Sequence, residues 1–426
     1  MISFLLIAIF VIGYACIAFE HPLRLNKAAS ALITGVLCWT VYILANNSDK
    51  QVSEELLSHF SDISSILFFL LGAMTIVELI DSHSGFEILT SRIKTKDKRK
   101  LLFIISFITF FLSAVLDNLT TAIVMTSLIR KLLPDKEDRY WFAGMIIISA
   151  NAGGVWSPLG DVTTTMLWID GQVTALNIIY KTFLPSLAVA IIPLYIISFR
   201  FKGKFLITSV PDRLPQKSNG DGKVMLLCGI GFLLFVPTFK TLTHLPPFMG
   251  MFLALGLIWI ITTIIHSDKN EESRKKFTVA KAMQRIDTPS ILFFAGILLA
   301  VACLESSGLL KQAADFLNNT FQNNYLIGSS LGVLSAIVDN VPLIAASQGM
   351  YSLSVFPTDH YFWEFLALTC GTGGSILIIG SAAGVAVMGI ENISFGWYLK
   401  KISWLALLGF FAGILVYILQ QMIFFQ

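Results

Sequence analysis

Charge is scarce in this chain of 426 residues: Asp, Glu, Lys and Arg make up 13% of it, against 55% hydrophobic residues. Soluble domains carry about 25% charged residues, so the shortfall excludes an ordinary water-soluble fold. Mean hydropathy is +0.75, and many apolar runs approach the roughly 18–20 residues that a helix needs to cross hydrocarbon. The chain therefore reads as a polytopic membrane protein. A net charge of +3 is too small to point to nucleic acid, and the basic residues sit in short loops. The five cysteines, Cys16, Cys38, Cys228, Cys303 and Cys370, lie in apolar runs without CxxC spacing and read as packing residues. No GxxxxGK[ST] loop is present to cradle a nucleotide, and no HExxH or His-Cys constellation marks a metal site. The six histidines fall in or beside loops and read mostly as solvated, with pH sensing as the alternative. The first apolar run lacks a basic n-region and a cleavage site, so it is kept as a crossing.

What the chain does contain is a carboxylate inside apolar sequence, twice: Ser113-Ala114-Val115-Leu116-Asp117-Asn118 and Ser335-Ala336-Ile337-Val338-Asp339-Asn340. An Asp in hydrocarbon costs about 2.5–3.5 kcal/mol even on the lenient insertion scale, so it belongs where it faces a cavity, a partner or an ion. The first Asp-Asn interrupts the apolar stretch 101–133, whose flanking segments 92–100 and 130–139 are both basic. Two basic loops favour the same, cytoplasmic side, so the stretch is expected to be a re-entrant hairpin with its polar tip at mid-bilayer. An ordinary crossing with a buried polar kink is the alternative. The second Asp-Asn interrupts 325–350, whose flanks 305–324 and 351–364 lack basic excess, and a hairpin from the outer side fits. Stretches 141–169 and 365–395 carry Gly153-Gly154 and Gly373-Gly374 with further Ser, Pro and Gly residues. Gly costs about 1 kcal/mol and Pro about 3 in a helix interior, so both stretches read as broken crossings.

Simple crossings are read at 2–19, 28–44, 63–80, 175–199, 224–239, 247–265, 289–304 and 402–425. The total is roughly ten crossings plus two hairpins, with both termini outside. Ser65-Ile66-Leu67-Phe68-Phe69 recurs as Ser290-Ile291-Leu292-Phe293-Phe294, and the Asp-Asn and Gly-Gly landmarks recur in the same order at offsets near 220. Loop charges set the two copies in opposite directions. The expected organisation is all-helical: a first inverted repeat over 1–199, a cytoplasmic linker over 200–223 and a second repeat over 224–426. Secondary transporters built this way hold their substrate at the midplane, where unwound backbone and helix ends meet. The candidate site gathers Asp117 and Asp339, with Asn118, Asn340, Thr120, Thr121, Ser157, Thr372 and Ser375 as neutral oxygen donors. Hard oxygens around carboxylates suit a small monovalent cation or a proton. Asp161 reads either as a ligand or as the cap of the helix that restarts after the break. Glu78, near the end of its crossing, reads as a proton-entry group or as a snorkelling interfacial carboxylate.

At SAVLDNLTTAIVMTSLIRKLL from Ser113, SANAGGVWSPLGDVTTTMLW from Ser149, SAIVDNVPLIAA from Ser335 and GTGGSILIIGSAAGVAVMG from Gly371, the sequence resembles the NhaD-type sodium/proton antiporters of the ion transporter superfamily. The resemblance spans nearly the whole chain. It implies a multi-pass protein of a bacterial inner membrane, without a cofactor, whose partners are lipid and small monovalent cations, with a homodimer left open. It also implies exchange of external protons for internal Na+ or Li+, ion binding at Asp117 and Asp339, and Glu78 and Asp161 as further acidic candidates. Proton and cation would compete for the same aspartates while the core alternates its exposure. A Na+-coupled dicarboxylate symporter or an arsenite carrier on the same scaffold is the second reading. An intramembrane aspartic protease is a distant third, because Leu159-Gly160-Asp161 only loosely resembles the Gly-x-Gly-Asp element of such enzymes.

Overall fold

The computed structural model describes residues 2–18, 20–46, 49–90, 93, 95, 97–201, 203, 220–267 and 277–424. Every element among them is a helix. Among the described residues, eight helices are long and apolar enough to cross a membrane. One of these, Lys98–Leu116, is an arm of the first hairpin. Adding Ile2–Ala18 and the two interrupted crossings gives the ten passes expected from the sequence.

The first hairpin pairs Lys98–Leu116 with Asn118–Leu132, separated by Asp117 alone. Lys98 Nζ lies 2.5 Å from Asp138 Oδ2. The start of the first arm and the residues just after the second arm are therefore neighbours, which a straight crossing cannot provide. The second hairpin pairs Asn324–Leu334 with Asn340–Met350. Its open end closes in the same manner: Asn324 Nδ2 donates to the Tyr361 hydroxyl at 2.9 Å, and the Tyr351 ring stands 5.0 Å from that of Phe362.

Helix Ala175–Ser198 gives the span between the two hairpin mouths. The Thr174 N–H at its start donates to Asp359 at 2.6 Å, and Arg200 past its end pairs with Glu137. Its 24 residues rise about 36 Å at 1.5 Å each. Glu137 belongs with the first mouth and Tyr361 with the second, so the hairpins open on opposite faces. Lys136–Gly154 and Tyr361–Gly373, the leading halves of the broken crossings, likewise enter from opposite faces and end near each other in the interior.

Several expectations are corrected. Segment 49–62, left as a connection between the crossings expected at 28–44 and 63–80, is the first part of a continuous 34-residue helix, Asp49–Ser82. Its Lys, Gln, Glu and Leu residues favour helix despite low hydropathy. Tertiary bonds hold it as well: the Tyr42 hydroxyl donates to Glu55 at 3.4 Å, and His59 Nε2 meets Ser306 Oγ at 3.1 Å. The second broken crossing begins at Tyr361, not 365, so Glu364 lies inside it and is fully buried. His83 and His266 are not solvated, because their Nε2 atoms meet at 2.8 Å between Leu79 and Phe277. The side chain of His21 lies outside the described residues, as do most of linker 200–223 and residues 92, 94 and 96 of the basic loop.

Candidate functional site

Beside each break the backbone packs too closely to admit a side chain. A Cβ on Gly153 would come within 2.2 Å of the Phe110 carbonyl, and one on Gly373 within 1.9 Å of the Gly332 carbonyl. Gly154 and Gly374 abut the carbonyls of Gly160 and Gly380 in the same fashion. Beside these contacts the Ser113 hydroxyl donates to the Ala150 carbonyl at 2.6 Å, and the Ser335 hydroxyl to the Cys370 carbonyl at 2.7 Å. The same serine lock thus fastens each hairpin to its neighbouring broken helix.

The locks bring the hairpin tips to a common centre, Asp161, which is 2% exposed. Its Oδ1 accepts from the backbone N–H of Thr163 at 3.0 Å and from the Thr163 hydroxyl at 2.9 Å. Asp161 therefore caps helix Val162–Ile169. Asn118 Nδ2, from the first tip, donates to Asp161 Oδ2 at 2.8 Å, while Asn340 Nδ2, from the second, lies 3.3 Å from the same oxygen. Asn118 also donates to Asn151 Oδ1 at 3.1 Å. Asn151 in turn donates to Ser375 Oγ at 2.9 Å and Ser381 Oγ at 3.0 Å. The result is one buried polar network that includes both hairpin tips and both breaks.

A cavity of about 60 Å³ opens beside this network, and Asp117, Asn118, Asp161, Asp339 and Asn340 all line it. Asp117 accepts from the Thr120 N–H and from the Thr120 hydroxyl, each at 2.8 Å. Asp339 accepts from the Val341 N–H at 3.3 Å, and its own N–H donates to the Tyr14 hydroxyl at 2.9 Å. Other residues named from the sequence lie apart from the cavity. Ser157 Oγ accepts from the Leu159 N–H within its own turn, and the Thr372 hydroxyl donates to Leu368 O of its own helix. The Thr121 hydroxyl is buried without a hydrogen-bond partner among the described residues. Glu78 Oε1 faces Arg285 at 3.4 Å.

Sequence reasoning did not single out Asn151, Ser381 or Lys27. For Ser381 a signal was present: it follows Gly380 as Asp161 follows Gly160, at the same offset of 220. Asn151 adjoins the first Gly-Gly pair but resembles any polar residue near a break. Lys27, which also lines the cavity, reads from sequence as an interfacial lysine at the edge of an apolar run.

A family profile described as a citrate transporter matches residues 14–371. Sodium/proton antiporter 2 of Arabidopsis thaliana is 47% identical over 413 residues, covering 96% of this chain and 98% of that protein. Sodium/proton antiporter 1 of the same plant is 47% identical over 419 residues, covering 98% of this chain and 72% of that one. The Na(+)/H(+) antiporter NhaD of Alkalimonas amylolytica is 30% identical over 450 residues, covering 98% and 90%. The chain belongs to the citrate-transporter family and is one of the NhaD-type sodium/proton antiporters.

Proposed function

We propose that this protein exchanges Na+ or Li+ for H+ across its membrane, with cation and proton competing for the aspartates of the central cavity. The carrying observation is that Asp117, Asp161 and Asp339 share one cavity whose polar walls come from both hairpin tips. Carboxylate and amide oxygens are hard donors suited to a small cation. A water needs about 10–15 Å³ of such space, so about 60 Å³ holds an ion with a few waters. Asn118 and Asn340 now turn their Nδ2 groups to Asp161. On loading they would present their Oδ1 atoms to the ion instead.

The two halves act as inverted repeats in this reading. Support comes from the paired serine locks and from mouths that open on opposite faces. A core bearing its site between such mouths can expose it to each side in turn. In this reading the first mouth, with Glu78 beside it, faces the cytoplasm and both termini lie outside, supported by the basic segments of the sequence.

A citrate or dicarboxylate carrier is the second reading, favoured by the description of the matching family. The cavity opposes it. A substrate carboxylate about 5 Å from each aspartate would meet a repulsion of about 3 kcal/mol apiece at an effective dielectric of 20.

The test is pH-gradient relief in vesicles containing only this protein, with Na+, Li+, K+ and citrate added in turn. Na+ and Li+ should dissipate the gradient, and Asp117→Asn or Asp339→Asn should abolish the effect. Unimpaired exchange in both variants rejects the mechanism, and citrate uptake without cation exchange installs the second reading.

A further inference from the structure

Lys27 is the first residue of helix Lys27–Ala45, and it lines the cavity together with Asp117, Asp161 and Asp339. Helix formation does not account for a lysine there. The positive end of the helix dipole disfavours a cation in the first turn, and Asn26 already caps the helix by accepting from the Ala28 N–H at 2.9 Å. The ammonium stands over the Phe293 ring, 5.0 Å from its centroid, and Lys27 shares the wall of the cavity with Asp339. A cavity with three ionised aspartates and one ammonium has a net charge of −2, whereas without Lys27 it would have −3. So concentrated a charge, with no ion to balance it, is costly away from bulk water.

We propose that Lys27 is the resident counter-charge of the ion site, turning from Phe293 to Asp339 when the site is empty and giving way when Na+ enters. The inference rests on the cation-exchange reading and assigns Lys27 the part of a tethered competitor. Such a competitor weakens Na+ binding and speeds Na+ release.

The test is Na+ titration calorimetry on the purified protein at one fixed pH, together with maximal exchange rates in vesicles, for the wild type, Lys27→Gln, Lys27→Met and Lys27→Arg. The Gln and Met variants should bind Na+ roughly tenfold more tightly and turn over more slowly, since one elementary charge no longer competes. The Arg variant, which keeps the charge, should bind as the wild type does. In an Asp339→Asn background, Lys27→Gln should lose its effect on affinity. A merely structural lysine would give weaker binding on removal. Wild-type or weaker affinity in the neutral variants overturns the proposal, as does tightening that persists undiminished without Asp339. Because Gln and Met are scored separately, a folding failure in one leaves the other decisive. A wild type that neither binds Na+ nor exchanges it overturns the functional reading itself, a result distinct from these.

Discussion

Asp117 has φ 93° and ψ 155°, a region that is essentially glycine's own and costs another residue about 1–3 kcal/mol. Asp339, its counterpart, has an ordinary φ of −50°. The strain at Asp117 is offset by two bonds from Thr120 and aims the carboxylate into the cavity. Replacing an N-cap Asp by Gly loses only a few tenths of a kcal/mol. Asp117→Gly is therefore expected to unfold in detergent at or above the wild-type Tm while losing exchange. At Asp161 the opposite is expected. Its two oxygens face Thr163, Asn118 and Asn340 as donors, so an Asn there would set its amide against another donor. Asp161→Asn should lower stability by about 1–3 kcal/mol. Asp339→Asn, which disturbs one 3.3 Å bond from Val341, should unfold near the wild-type temperature. Equal Tm values for the two variants would contradict this account of the network.

Among the elements, the broken crossings depend on backbone meeting backbone. Gly153→Ala and Gly373→Ala would drive a methyl into a carbonyl at 2.2 Å and 1.9 Å, and neither carbonyl is the movable end of a side chain. Both substitutions should lower Tm and slow exchange by parting hairpin from helix. Gly231 and Gly389 also lie within helices, but a Cβ there meets nothing within 4 Å. Alanine at either should leave Tm unchanged or raise it, since Ala is the better helix former by about 1 kcal/mol. Thermal unfolding of the four variants separates packing from propensity. These elements were readable in advance because their signals are local: an Asp-Asn in an apolar run, and paired glycines where a helix ought to continue. Helix 49–62 was not readable, because low hydropathy resembles a loop until Tyr42 and Ser306 are seen to hold it.

Across the whole molecule, the two halves are also tied away from the cavity. Glu391, at the end of the second broken crossing, has a side chain only 1% exposed and accepts from Arg139 Nε at 3.0 Å. Arg139 also donates to the carbonyls of Leu133 and Pro134, just past the first hairpin, and Arg130 lies 3.5 Å from the other Glu391 oxygen. Removing one partner of a buried pair costs about 3–5 kcal/mol when the other charge is left unpaired, and Arg130 offsets part of that cost at Glu391. Arg139→Met should lower Tm sharply, and adding Glu391→Gln should recover part of the loss. Strict additivity of the two changes would show that the pair does not couple the halves.

Membrane embedding, helical class, both hairpins and both breaks were decided by the sequence itself, through composition, hydropathy and residues whose backbone preferences act within a few positions. The tertiary structure alone decided which further groups join the two hairpin tips at the central site. Asn151 meets Ser375 and Ser381 across more than 220 residues of chain, and Lys27 reaches the cavity of Asp339 from a different helix. Such contacts follow from how packed helices are laid beside one another, and no local pattern encodes that placement.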